Sequence, residues 1–299
     1  MSVKKTSFFE ASARTRIARL VDPGSFSEFC PPQLRHTSPH LARLHAPVAF
    51  DDGVAVGCAR LAGHPVLIAA QEGRFNGGAV GEVHGAKLAG LLDKAVSERP
   101  AAVLLLVDSG GVRLHEANAG LIAISELMRA VLRTQAAGIP VFALIGGSCG
   151  AFGGMGIVAR LCAEVVMSEQ GRMGLSGPEV IETVMGVEEF DSRDRALVWR
   201  VTGGKVRRAL GEATRLVEDD VAAFRAVTAD LLAEYGARPL KPSSLDTLFD
   251  AHARLTARTR RFSAARDGRE IFAASGFSDI DGVPLMAVDA FNRHLMETA

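Results

Sequence analysis

Nothing in this sequence points to a disulfide framework, a zinc ribbon or a membrane span. Its four cysteines, Cys30, Cys58, Cys149 and Cys162, are scattered, with no C-x-x-C pair and no histidine at ligand spacing. Buried free thiols in a reducing compartment are the expected state, and no metal site is expected. The longest apolar runs are strand-sized, too short to cross a bilayer. The stretch MSVKKTSFFEASARTRIARL has two lysines but no apolar segment behind them, which argues against a secretory signal. Neither sign of charge predominates, since 34 Lys and Arg face 34 Asp and Glu and no basic run stands out. Nucleic acid is therefore not expected as a partner. These absences describe a cytoplasmic protein whose 299 residues suffice for one large α/β domain or two small ones.

What the chain does have is glycine, concentrated where strands end. Val141–Gly156, VFALIGGSCGAFGGMG, reads as an apolar strand, a loop with six glycines among eleven residues, and the start of a helix. Such a loop lets something approach the main chain closely, and it brings free N–H groups to a helix N-terminus, where the dipole favours negative charge. An anion or oxyanion site built from backbone is the expectation. Three rival signatures are missing. Gly204-Lys205 has neither the spacing nor the hydroxyl of a Walker loop, and the glycines at 147, 150, 153 and 154 do not fit a dinucleotide fingerprint. Gly146-Gly-Ser148-Cys-Gly150 has the spacing of a nucleophile elbow but a loop of the wrong length. Ser148 and Cys149 stay as secondary nucleophile candidates, and close helix packing remains the structural alternative for the glycines.

In chain order, Ser7 to Leu20 is expected to be helical, with Ile17 and Leu20 on one face and Arg14, Arg16 and Arg19 on the other. Cys30 to Pro47 reads as a Pro- and His-rich connector, with His36, His40 and His45 as surface residues. VAVGCARL and PVLIAA form an expected hairpin about Ala62-Gly63-His64. A glycine loop, Gly73–Gly81, then leads into a helix ending near Glu98. AAVLLLVD, PVFALIG and EVVMS are continuously apolar, as expected of parallel strands covered on both faces. The helix between the first two should bury Leu121, Ile124, Met128, Val131, Leu132 and Gln135, making a right-handed βαβ crossover. Ser176-Gly-Pro-Glu179 reads as a capping box opening a helix that Gly186 closes, and Asp219-Asp220 opens another. The division is 1–50 N-terminal helix and connector, 51–240 catalytic domain, and 241–299 a C-terminal extension with weak helical periodicity. Ligands of open α/β sheets bind beyond the carboxyl ends of strands. The Asp108–Arg113 and Gly146–Gly156 loops should therefore lie side by side.

The motifs DPGSF, EGRFNGGAVGEVHGAK, LLLVDSGGVRLHEA, GGMGIVA and GLSGPEVIE resemble the landmarks of acyl-CoA carboxyltransferase β subunits, in the crotonase-like superfamily. GEVHGAKLAGLL, ANAGLIAISELMRAV and SGPEVIETVMGVEEFDSRDRALVWRVTGGK are closer still to the β subunit of biotin-independent malonate decarboxylase, and the resemblance covers roughly residues 10 to 235. The four-cysteine zinc ribbon usual in bacterial acetyl-CoA carboxylase β subunits is missing, in keeping with the closer assignment.

The resemblance implies an α/β, crotonase-like spiral of ββα units, of the carboxyltransferase N-type. It implies a second carboxyltransferase-like partner subunit, with the active site at the interface. The substrate would be a malonyl thioester on an acyl carrier protein with a phosphoribosyl-dephospho-CoA arm, and a further subunit would exchange acetyl for malonate. No covalently bound cofactor, biotin or metal is expected. Matching the family motif, Gly153 and Gly154 would donate to the thioester oxygen as it becomes an enolate, with Gly110 and Gly111 of the neighbouring loop as further backbone oxyanion donors. Candidate proton donors are His84, His115 and Glu116, with water or a partner residue as alternatives, and Glu116 pairing with Arg113 as its local alternative. Substrate contacts are assigned to Arg74, Gly77, Gly78, Arg113, Gly147, Gly150, Ser176 and Gly177. Arg74, Arg113 and Lys87 are cationic candidates for a carboxylate or phosphate, a solvated face being the alternative for each. Two other functions remain open, a malonyl-thioester:biotin carboxyltransferase subunit and a non-catalytic scaffold that orients the carrier protein.

Overall fold

The computed structural model describes residues 5–298, in a seven-stranded sheet whose spatial order is its chain order. The strands are β1 (Ser27–Phe29), β2 (Val54–Leu61), β3 (His64–Gln71), β4 (Ala102–Val107), β5 (Val141–Ile145), β6 (Glu164–Ser168) and β7 (Arg215–Val217). β1, β2 and β3 pair antiparallel, and β3 to β7 run parallel. The β2–β3 hairpin turns at Ala62 and Gly63, both at positive φ (48° and 80°), as a two-residue hairpin with the strands' twist requires.

The helices are α1 (Ala13–Leu20), α2 (Glu82–Glu98), α3 (Ala119–Ala136), α4 (Gly154–Leu161), α5 (Pro178–Met185), α6 (Arg195–Thr202), α7 (Gly204–Ala209), α8 (Val221–Ala237), α9 (Leu245–Phe262), α10 (Gly268–Ala274) and α11 (Val288–Glu297). The central strands β4 and β5 are apolar and buried at every position because both faces are covered. Val103, Leu105 and Val107 of β4 join a core with α2, α3, α4 and α11, while Ala102, Leu104 and Leu106 pack with Phe8, Ile17 and Phe224 on the α1 and α8 side. The N- and C-terminal segments share these layers. β1 extends the sheet, and Phe272, Phe277 and Phe291 of the extension lie in the larger core. Lys205 fastens the extension by donating to the carbonyls of Val283, Pro284 and Met286 at 3.2, 2.8 and 2.6 Å.

The chain does not pass straight from strand to helix. β3, β4, β5 and β6 are each followed by a second extended segment, and these pair as short bridges, Val80 with Val112, Ser109 with Ala151, and Ala151 with Met173. That gives the spiral of ββα units. Several local expectations shift. The first helix begins at Ala13, because Ser12 caps it by accepting the Thr15 N–H. Arg16 is not on a polar face but is 2% exposed. In α3 the buried stripe is Gly120, Ile124, Leu127, Ala130, Val131 and Thr134, while Leu121 and Leu132 are over half exposed. Ser176 is not a cap. Gly177 holds that position without a side-chain bond, and Pro178 starts α5.

Candidate active site

The three glycine loops meet at the carboxyl ends of β3, β4 and β5, joined by main-chain bonds. Ser109 donates to the Gly150 oxygen at 2.7 Å, Phe152 to that of Ser109 at 2.9 Å, Gly110 to that of Gly77 at 2.9 Å, and Val80 to that of Gly111 at 2.9 Å. Close approach explains much of the glycine. A Cβ on Gly78 would run into the Asp108 carbonyl, and one on Gly147 into the Asp108 carboxylate. Gly77, Gly78 and Gly150 lie at φ of 62°, 66° and 70°, which favours glycine. These positions shape the walls of the site through backbone.

The amides sort into engaged and free. Gly153 donates its N–H to the Leu175 carbonyl at 2.9 Å, and that of Gly110 goes to Gly77. Neither is therefore available as a donor, contrary to the motif-based assignment: segments distant in sequence already use them. Gly111 makes only a 3.3 Å contact with Ser109 Oγ. Gly154, the first residue of α4, has no acceptor for its N–H among the described residues. It sits at the positive end of the helix dipole. Gly153 holds φ 57° and ψ −134°, which aims that peptide, and a Cβ on it would lie 3.4 Å from Gly111 Cα. A free amide at the start of α4 thus adjoins the weakly engaged Gly111.

Two proton-donor candidates are removed by burial. His84 is fully buried, and burial first of all pushes it down to about 3, so it is neutral near pH 7. Its Nε2 meets Gln71 Nε2 at 3.0 Å, while Gln71 Oε1 accepts the Asp108 N–H at 3.2 Å. Gln71 thus presents its amide N–H to His84 Nε2, while Arg113 Nη2 lies 3.5 Å from Nδ1, so both ring nitrogens face protein groups rather than a substrate. Glu116 is 3% exposed and committed, accepting from Arg113 at 3.0 Å and capping α2 through the Glu82 N–H at 2.7 Å. His115 is about half exposed and remains accessible.

Arg113 is neither a substrate contact nor on a solvated face. At 4% exposure it binds Asp51 at 2.5 and 3.1 Å and the Ala79 carbonyl at 2.9 Å. Burial works against both charges, yet Arg113 holds the Asp51 carboxyl below its usual value and Asp51 holds the guanidinium above its own. The second buried pair joins Arg16 to Asp108 at 2.8 Å. The other Asp108 oxygen accepts the Cys149 N–H at 2.6 Å, which pins the Gly146–Gly156 loop. Burial, then Asp108, pushes the Cys149 thiol up. That disfavours the thiolate a nucleophile needs.

Of the remaining candidates, Arg74 is exposed and donates to the Glu10 carbonyl at 3.0 Å, and Lys87 reaches the Asp51 carbonyl at 3.4 Å. Ser176 and Gly177 are half-buried ahead of α5, one residue beyond the Leu175 that holds Gly153. His40 pairs with Glu82 at 3.3 Å, and among the described residues no group of His, Cys, Asp and Glu could hold a metal. No described helix is long and apolar enough to cross a membrane. Arg16, Asp51 and Gln71 escape sequence reasoning; the one available signal is the polar Gln71 that closes the apolar run Val66–Ala70. Around the site lies uncovered apolar surface, with Leu114 86%, Ile122 61%, Leu175 71% and Val184 80% exposed. Isolated apolar residues on a surface are ordinary, whereas large exposed apolar patches mark interaction surfaces.

A sequentially ordered parallel sheet, a second layer of bridges and a free amide at the helix after β5 define a crotonase-like α/β protein of the carboxyltransferase class. The chain belongs to the carboxyl transferase domain family, whose model matches residues 10–229. It is 44% identical over 240 residues to the malonyl-S-ACP:biotin-protein carboxyltransferase MADC of Malonomonas rubra, covering 76% of this chain and 75% of that one. It is 28% identical to an acetyl-coenzyme A carboxylase carboxyl transferase subunit beta of Desulfitobacterium hafniense, covering 69% and 72%. Among solved structures it resembles a chain of a Pseudomonas malonate decarboxylase hetero-tetramer in complex with malonate. That match has a TM-score of 0.77 and 39% identity, over 91% of this chain and 98% of that one.

Proposed function

We propose that this chain is the β-type subunit of a malonate decarboxylase, acting on a malonyl thioester carried by an acyl carrier protein. The observation that carries the reading is the unpaired Gly154 amide at the positive end of α4, beside Gly111. The likeness to malonate decarboxylase chains supports it. In the reaction, the bond between the α carbon and the carboxylate breaks and carbon dioxide leaves. The electron pair delocalises onto the thioester oxygen as an enolate. Gly154 N–H, together with the Gly111 N–H once it exchanges Ser109 Oγ for substrate, stabilises that oxygen. Each donor of this kind contributes about 3–4 kcal/mol, because the bond is stronger to the enolate than to the ground-state carbonyl. The α carbon then takes a proton from His115, from water or from a partner residue. The carrier's phosphoribosyl-dephospho-CoA arm, the second carboxyltransferase-like subunit docking on the apolar rim, and a subunit exchanging acetyl for malonate complete the scheme. No biotin or metal takes part.

The likeness to MADC favours a second reading, in which the same enolate forms but the carboxyl group passes to biotin on a partner protein. One assay separates the two. The purified chain, its partner subunit and a biotin-bearing protein are incubated with malonyl-carrier protein, with and without avidin, and carbon dioxide release after an acid quench, which also decomposes carboxybiotin, is measured. Release unaffected by avidin supports the decarboxylase. Release that avidin stops assigns the chain to the biotin route, and no release under either condition sinks both readings in favour of a carrier-orienting scaffold.

A further inference from the structure

At the amino ends of β6 and β7, opposite the strand ends that carry the glycine loops, α4 ends beside Arg160 and β7 begins after Thr214. Helix α9 borders this end. Its Arg254, Arg258 and Arg261 are spaced i, i+4 and i+7. That spacing puts them on one stripe about 10 Å long. The stripe and Arg160 line a groove of about 660 Å³.

The negative charge here is far smaller than the positive. Glu212 is the carboxylate that pairs with this cluster, and it is already shared. Arg207 binds it at 2.7 Å, Arg258 lies 3.6 Å from it, and its main-chain oxygen accepts from Arg160. Arg254 has neither an ion pair nor a hydrogen bond among the described residues, and Arg261 uses one nitrogen on the Ala274 carbonyl at 2.6 Å. The buried Nε atoms of the neighbouring Arg207 and Arg208 have no acceptor. Arg160 is pushed below its usual value by burial, and although Glu212 opposes this, Arg258 and Arg207 add to it. Guanidinium groups gathered in a concave site with unused donors match phosphate oxygens, which they bind in planar, bidentate fashion. The length of the stripe exceeds one phosphate and suits two that are linked.

We propose that the groove between α9 and the end of α4 binds a small molecule carrying a diphosphate, at a site separate from the glycine loops. The eight residues of α4, about 12 Å of helix, lie between the two. The test is calorimetric titration of the full-length chain, with its partner subunit present, using inorganic pyrophosphate and, separately, ADP. Saturable binding should appear in the wild type and weaken at least about tenfold in Arg254→Ala and in Arg258→Ala. Thermal melting without ligand checks that each variant is folded, and Arg254→Ala removes no internal bond. Equal affinity for both probes identifies the diphosphate alone as the ligand chemistry, whereas tighter ADP binding identifies a nucleotide. Absence of saturable binding by either probe, or binding unchanged in both variants, overturns the proposal.

Discussion

Arg16 and Asp108, 92 residues apart in the chain, form an ion pair at 2.8 Å with both side chains 2% exposed. The pair ties helix α1 to the loop after β4. Because Asp108 also accepts the Cys149 N–H, it ties both to the loop after β5. Removing one member leaves the other charged, buried and uncompensated.

Asp108→Ala should therefore lower unfolding free energy by about 3–5 kcal/mol, the usual result of breaking a buried pair. Urea denaturation measures it. A loss of less than about 1 kcal/mol, the scale of an exposed pair, would show that the pair is not structural.

Gly153→Ala places an L residue at φ 57° and ψ −134°, where a side chain is strained by about 1–3 kcal/mol. Relief comes from rotating the peptide that carries the Gly154 N–H. In the assembled complex, kcat should fall by about 10²–10³ with KM little changed. Steady-state kinetics on malonyl-carrier protein decides it, and unaltered kcat refutes the backbone-donor account.

His84 gives a pH dependence with a definite sign. Its folded value is about 3 against 6.5 for the free side chain, so below pH 6.5 the unfolded chain binds the extra proton. The stability is present above pH 6.5 and drains away as pH falls towards 3. The slope from this one group is about 1.4 kcal/mol per pH unit, or about 2 kcal/mol by pH 5. His84→Gln should flatten that part of the urea-midpoint profile between pH 7 and pH 5. A variant profile as steep as the wild type's rules the histidine out as its source.

Val184 on α5 is 80% exposed, so Val184→Asp leaves the fold's interior untouched. It should weaken association with the partner subunit while monomer melting stays the same. Light scattering after size-exclusion chromatography reports the assembly, and full complex formation would remove α5 from the interface.

The parallel strands were legible because their apolar runs are bounded by proline, glycine and charge, and each strand covers two faces. AAVLLLVD, for example, contains β4 whole. The glycine loops were legible as a site for the same local reason. Which amides are free was not, since that depends on the Leu175 and Gly77 carbonyls that occupy Gly153 and Gly110. Arg16 looked like surface because helical spacing reports a face, and its partner lies on a distant loop. In α3, Leu121 and Leu132 fit the apolar spacing equally well, but the contacts with α2 and α4 set the buried stripe elsewhere.

A sheet whose spatial order is its chain order has a consequence for synthesis. From β2 to β7, every new strand can join an edge that has already left the ribosome, so the sheet grows in one direction without waiting for later sequence. The N-terminal helix is the exception. Arg16 must await Asp108, the Phe9 amide must await Asp219, and the Phe8 ring packs at a tilt with its centroid 4.1 Å from that of Phe224. Helix α1 is thus seated only once α8 has been made, and its docking completes the smaller core, while the larger core still awaits Phe272, Phe277 and Phe291 of the extension.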